Sequence, residues 1–86
     1  MKNGLEVNQY GVKSWRLNGL YHKYGEPAVI WPDGSKSWYI NGKRHREDGP
    51  AIELANGNKV WYIDDVRMNC SNQEEFDKLM RIKGFL

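Results

Sequence analysis

The residue best equipped for chemistry is His45, set in the run Lys43-Arg44-His45-Arg46-Glu47-Asp48. An imidazole beside two carboxylates has the makings of a general base or a metal ligand. The chain has two histidines, His22 and His45, and no third ligand type recurs beside them, whereas zinc asks for three or four ligands. Cys70 is the other candidate. It precedes Ser71-Asn72-Gln73-Glu74, which reads as a helix start, and a helix N-terminus can lower a thiol pKa. A Cys-His pair is not expected, because both histidines fall in hairpins. No Gly-rich phosphate loop, paired-carboxylate motif or nucleophile elbow is present. The expectation is a non-enzyme without catalytic residues, metal or cofactor, in which Cys70 is a structural thiol.

Its first four residues, Lys43-Arg44-His45-Arg46, are the densest positive stretch. With Tyr39 and Tyr62 on a sheet face, Lys43, Arg44 and Arg46 could contact phosphates or stack bases. Glu47 and Asp48 come directly after it, however, and the formal net charge is only +2, too mild to indicate nucleic acid by itself.

These residues are embedded in a repeat. Gly11, Gly34 and Gly57 are spaced by 23 residues. The same step links Lys13, Lys36 and Lys59; Trp15, Trp38 and Trp61; Leu17, Ile40 and Ile63; and Asn18, Asn41 and Asp64. His22 matches His45, Pro27 matches Pro50 and Ala28 matches Ala51, with no gap. Self-similarity at a fixed period marks a repeat architecture. Residues that recur at one repeat position are scaffold before they are site, so the histidines are expected to tie the return arms of hairpins, as a His–Asp pair, and the tryptophans to form core.

Each unit has hairpin grammar. A strand such as SKSWYI runs into Asn41-Gly42, and Asn18-Gly19 stands in the same place; this dipeptide favours tight turns with positive φ. Asp64-Asp65 is the weaker third version. A return arm and a polar bend lead to GPAIEL, a second strand. Asp33-Gly34 and Asn56-Gly57 then turn the chain into the next unit. Period 2 puts Trp15, Leu17, Trp38, Ile40, Trp61 and Ile63 on one face, joined by Val29, Trp31, Ile52 and Leu54. Arg16, Tyr39 and Tyr62 point the other way with Ile30, Ala51 and Val60. That second face is partly apolar, and the C-terminal helix is expected to cover it. Ser71 reads as its N-cap with Glu74 completing a capping box; Phe76, Leu79 and Met80 form its apolar stripe, and Gly84 ends it. Leu5 and Val7 could supply a first edge strand.

The predicted fold is therefore mostly β: an antiparallel meander of tandem 23-residue β-hairpin repeats with one C-terminal α-helix. The 86 residues make one domain, with units at 11–33, 34–56 and 57–70 and a capping helix at 71–84. A single cysteine excludes an internal disulfide and fits a reducing cytoplasm. MKNGLEVNQYG has no apolar core of a signal peptide, and no apolar run approaches a membrane span.

The units resemble MORN-type repeats, with their Trp strand, Asn-Gly-Lys turn and Asp-Gly turn. WYINGKRHREDGPAIE, residues 38–53, is similar to a repeat variant found in proteins of tailed bacteriophages and some large viruses. That variant often ends in a helix with an E-E-F motif, as at Glu74-Glu75-Phe76. The resemblance spans roughly residues 10–80. Unit one departs from it at residues 22–27, and unit three after Ile63, where Met68-Asn69 replaces His-Arg. The resemblance implies a fold and a phage-like origin, and transfers no catalytic residue.

The expected function is a small phage-type protein–protein interaction module that binds and inhibits a host protein, a defence or nuclease complex being the type of target. The alternatives are nucleic-acid binding, or an antitoxin or immunity protein. Homodimerisation through an open edge strand is a further expectation. Membrane association finds no basic amphipathic helix to support it. The expected contact residues are Arg16, Tyr24, Tyr39, Lys43, Arg44, Arg46, Tyr62 and Arg67.

Overall fold

The computed structural model describes residues 4–84. They form an antiparallel meander and one helix. β1 (Gly4–Val7), β2 (Lys13–Leu17), β4 (Val29–Ile30), β5 (Lys36–Ser37), β8 (Ile52–Glu53) and β9 (Lys59–Val60) lie side by side in that order, with β3 (Leu20–Tyr21) also on β2. β6 (Tyr39–Ile40) pairs with β7 (Lys43–Arg44), and β10 (Tyr62–Ile63) with β11 (Val66–Arg67), as separate hairpins. Helix α1 spans Gln73–Ile82.

The 23-residue period is written in the backbone bonds. Trp15 and Trp38 donate their N–H to the carbonyls of Ala28 and Ala51, at 2.8 and 2.7 Å. Their own carbonyls accept from His22 and His45, at 3.0 and 3.1 Å, and Trp61 likewise accepts from Met68 at 2.8 Å. Each tryptophan is thus a junction. SKSWYI is consequently not one strand: the residues before Trp38 pair in the long sheet, and those after it form a separate hairpin. The Asn-Gly turns hold positive φ at both residues, 50° and 81° at Asn41-Gly42. Asp64-Asp65 adopts the same shape at 47° and 69°, a conformation unfavourable for side-chain-bearing residues.

The register corrects two expectations about faces. Val29 lies opposite Ser14 and Ser37, and Ile52 opposite Ser37 and Val60. Directly opposed residues point the same way, so Val29 and Ile52 share the serine face and not that of the tryptophans. Trp31 and Leu54 join them beside Tyr39. Ile30, opposite Lys13 and Lys36, goes to the other face. Extending the register by one residue sets Ala28 between Trp15 and Trp38, and Ala51 between Trp38 and Trp61. Both alanines are fully buried. A one-residue change in pairing flips a whole strand, and alternation within a strand carries no information about its neighbour's register.

The helix also lies on the other side from that expected. Phe76 and Met80, both fully buried, form a core with Trp61, Ile63 and Met68; Phe76 stands 6.3 Å from the Trp61 ring. The physical reason is a missing cation. Lys23 sits 3.9 Å over Trp15 and Arg46 sits 4.0 Å over Trp38. Asn69 holds the equivalent place in unit three and carries no charge or long stem to cover Trp61, so the helix covers it. The N-cap is Asn72, one residue beyond Ser71: its side chain accepts from Glu75 N–H at 2.9 Å, and Glu75 accepts from Ser71 N–H at 2.7 Å. This is a variant of the expected capping box, with Glu75 reaching past the N-cap to the N–H of the residue before it.

Candidate functional site

The hairpins place aromatic and cationic side chains opposite one another. Arg16 faces Tyr21, Tyr39 faces Arg44 and Tyr62 faces Arg67. The two residue types exchange strands after unit one. That exchange lets neighbouring hairpins interlock: the Tyr21 and Tyr39 rings lie 5.2 Å apart and tilted, and Arg44 lies 4.2 Å over Tyr62. Within unit one Arg16 lies 4.3 Å over Tyr21. The row therefore runs Arg16, Tyr21, Tyr39, Arg44, Tyr62, Arg67 across all three units on one face.

Carboxylates brace two of the guanidiniums. Glu6 lies 3.3 Å from Arg16, and Asp65 lies 2.6 Å from Arg44. Hydrogen bonds from the Arg44 side chain and backbone hold the Asp65 carboxyl below its ordinary range, and the same contact raises the Arg44 pKa. Burial pushes the Tyr39 phenol up, with Arg44 opposing. Arg67, at the open end, is exposed. Alongside the row run shallow grooves of about 380 Å³ by Ser14, Arg16 and Tyr21 and about 390 Å³ by Ser37, Tyr39 and Arg44. They occupy equivalent positions in the repeat.

Five of the eight expected contact residues meet in this row: Arg16, Tyr39, Arg44, Tyr62 and Arg67. The other three do not. Lys43 faces Ile40 on the opposite side. Arg46 lies over Trp38 there, bonded to Asp48 and Glu53 at 3.0 Å each and to the Pro50 carbonyl at 3.2 Å. Tyr24 is 73% exposed and lines a hollow of about 330 Å³ with Trp38, His45 and Arg46. The basic run is thus split between two faces by strand alternation. Tyr21 is inconspicuous in the sequence, because no tyrosine holds its position in the other two units. The signal lies in the 23-residue step, where Tyr21, Arg44 and Arg67 coincide and Arg16, Tyr39 and Tyr62 coincide.

The histidines bond between repeats. His22 Nδ1 accepts from Asn41 N–H at 2.9 Å, and His45 Nδ1 accepts from Asp64 N–H at 3.0 Å. The Asp64 carboxylate is farther from that nitrogen, at 3.3 Å. With Nδ1 accepting, the proton of His45 sits on Nε2 and is donated to Glu47 Oε2 at 2.8 Å. The expected His–Asp tie is therefore chiefly a ring-to-backbone bond that staples one unit to the turn of the next. Burial and the Glu75 carboxylate push the Cys70 thiol up, the reverse of an activated nucleophile. Among the described residues no group of three His, Cys, Asp or Glu side chains is placed to hold a metal ion, and no helix is long and apolar enough to cross a membrane.

Compared with known proteins, the chain matches no family model, and no curated protein or solved structure is significantly similar to it.

Proposed function

We propose that this chain is a protein-binding module that engages its partner through the arginine–tyrosine row. The observation that carries this is the continuity of the row through three repeats, on the face the helix leaves uncovered. Tyrosine and arginine are the side chains most enriched where protein interfaces concentrate their binding energy. Here they are stiffened in advance by stacking and by Glu6 and Asp65, which lowers the entropy lost on binding. The residues with chemical potential, His22, His45 and Arg46, are bonded within the scaffold, which supports binding over catalysis. The resemblance to phage repeat proteins supports a host protein as the partner and inhibition as the consequence. Immobilised protein incubated with nuclease-treated bacterial lysate should retain one stoichiometric host protein, and a variant altered in the row should not.

Nucleic acid is the second reading, favoured by the stacking platform that the tyrosines offer. Two of the three guanidiniums of the row already face carboxylates, which argues against phosphate as their complement. Loss of binding in proportion to added salt would mark that reading.

A further inference from the structure

The third repeat lacks one strand that the first two possess. After β2 comes β4 on its outer side, and after β5 comes β8. Each brings an alanine carbonyl to a tryptophan N–H, Ala28 to Trp15 and Ala51 to Trp38. Trp61 stands at the same place in unit three, and β9 is the last strand of the sheet. The residues that would continue the pattern are Ser71-Asn72-Gln73-Glu74, one period after Asp48-Gly49-Pro50-Ala51. They start the helix instead, which leaves along the tryptophan face. Beside β9 lies an open groove of about 410 Å³, lined by Asn58, Lys59, Val60, Trp61, Arg67 and Ser71.

We propose that this groove is a strand-addition site: the outer edge of β9 takes an extended segment of a partner protein with the pattern Pro-Ala-branched aliphatic-acidic. The neighbouring strands supply the template. Just before β8 the fully buried Ala51 fits between two tryptophans; within β8 Ile52 lies opposite Val60, and Glu53 lies opposite Lys59. A strand arriving on the far side meets the same three side chains. Backbone bonding to an open edge supplies affinity, and the alternating side chains supply selectivity. A branched aliphatic residue is favoured opposite Val60, and an acidic residue opposite the exposed Lys59. A second copy of this chain is a poorer occupant. Its own outermost strand, β1, is one period before β4 and carries Glu6 and Val7 at the aliphatic and acidic positions, so pairing would set Glu6 against Val60 and Val7 against Lys59.

The site touches the row only at Arg67, and its test needs no captured partner, so failure here leaves the proposed function standing. The probe is a synthetic peptide of residues 48–55, added to the full-length isotope-labelled protein and followed by amide NMR. The expected result is saturable shifts at Lys59, Val60 and Trp61, with slowed exchange of the Trp61 amide. Replacing the isoleucine of the peptide by aspartate should weaken binding about tenfold, the order of losing one aliphatic contact with Val60. In the protein, Lys59→Glu should weaken it about threefold, as expected for a cross-strand charge pair. Three outcomes would overturn the proposal: no saturable shift at β9, equal binding of a scrambled peptide, or a Trp61 amide already protected in a protein whose solution mass is that of two chains.

Discussion

The ring nitrogen Nδ1 of His22 stands 2.9 Å from the backbone N–H of Asn41, nineteen residues later in the chain. The pair closes the first hairpin arm onto the turn of the second, and His45 repeats the bond to Asp64 at 3.0 Å. Replacing His22 by Ala removes the partner of the Asn41 N–H at a part-buried site, which costs about 1 kcal/mol. His45 is the more exposed of the two, so water can replace part of its bond and the loss should be smaller. Urea unfolding of the two alanine variants checks the order; equal and negligible losses would remove the stapling role.

The Arg44–Asp65 contact gives stability a pH dependence of known sign. The folded Asp65 carboxyl lies below its ordinary 3.8, so ionised Asp65 favours the fold. That contribution is complete above the ordinary value and fades as pH falls through the lowered one. The Asp65 side-chain carboxyl, followed by NMR, should titrate below 3.8, and Arg44→Gln should move it part of the way back, since the backbone N–H of residue 44 still donates to it.

Ala51 fills the space between Trp38 and Trp61 and has no exposed surface. Ala51→Val adds two methyl groups where nothing can yield without moving an indole. A loss of about 1–3 kcal/mol is expected from overpacking, read by thermal or urea unfolding. The same change at the exposed Ala55 should be nearly neutral.

Cys70 should react slowly with disulfide reagents at neutral pH, since burial and Glu75 disfavour its thiolate. Glu75→Gln removes the nearby negative charge and should speed the reaction, measured by release of the chromophoric thiol under conditions where the fold is intact. A faster reaction in the unaltered protein than in a short cysteine peptide would contradict this placement.

The hairpin series and the helix were legible because they rest on local chemistry. Asn18-Gly19 and Asn41-Gly42 specify their own turns, and Phe76, Leu79 and Met80 specify a helical stripe. The 23-residue step set both histidines at one repeat position, and both bond to the turn of the next unit. What local pattern could not give was register. Val29 and Ile52 changed faces because their pairing with Ser14 and Ser37 is set by the bends between strands. The helix changed sides because Asn69 leaves Trp61 uncovered, a consequence visible only once Lys23 and Arg46 are seen over the other tryptophans. Five of the six residues of the row stood out as non-repeated or aromatic, while Tyr21 emerged only when its hairpin was paired with Arg16.

The measurement that bears most directly on the protein-binding role is the affinity of the captured host protein for three versions of this chain. These are the unaltered protein, a row variant carrying Tyr39→Ser and Arg67→Glu, and Tyr24→Ala on the opposite face, each checked for an intact fold by circular dichroism. The row variant should lose at least about a hundredfold, the scale of two residues that each carry a large share of the binding energy. Tyr24→Ala should bind as the unaltered protein does. A row variant that binds normally, or a loss confined to Tyr24→Ala, would contradict the assignment of the arginine–tyrosine row as the binding surface.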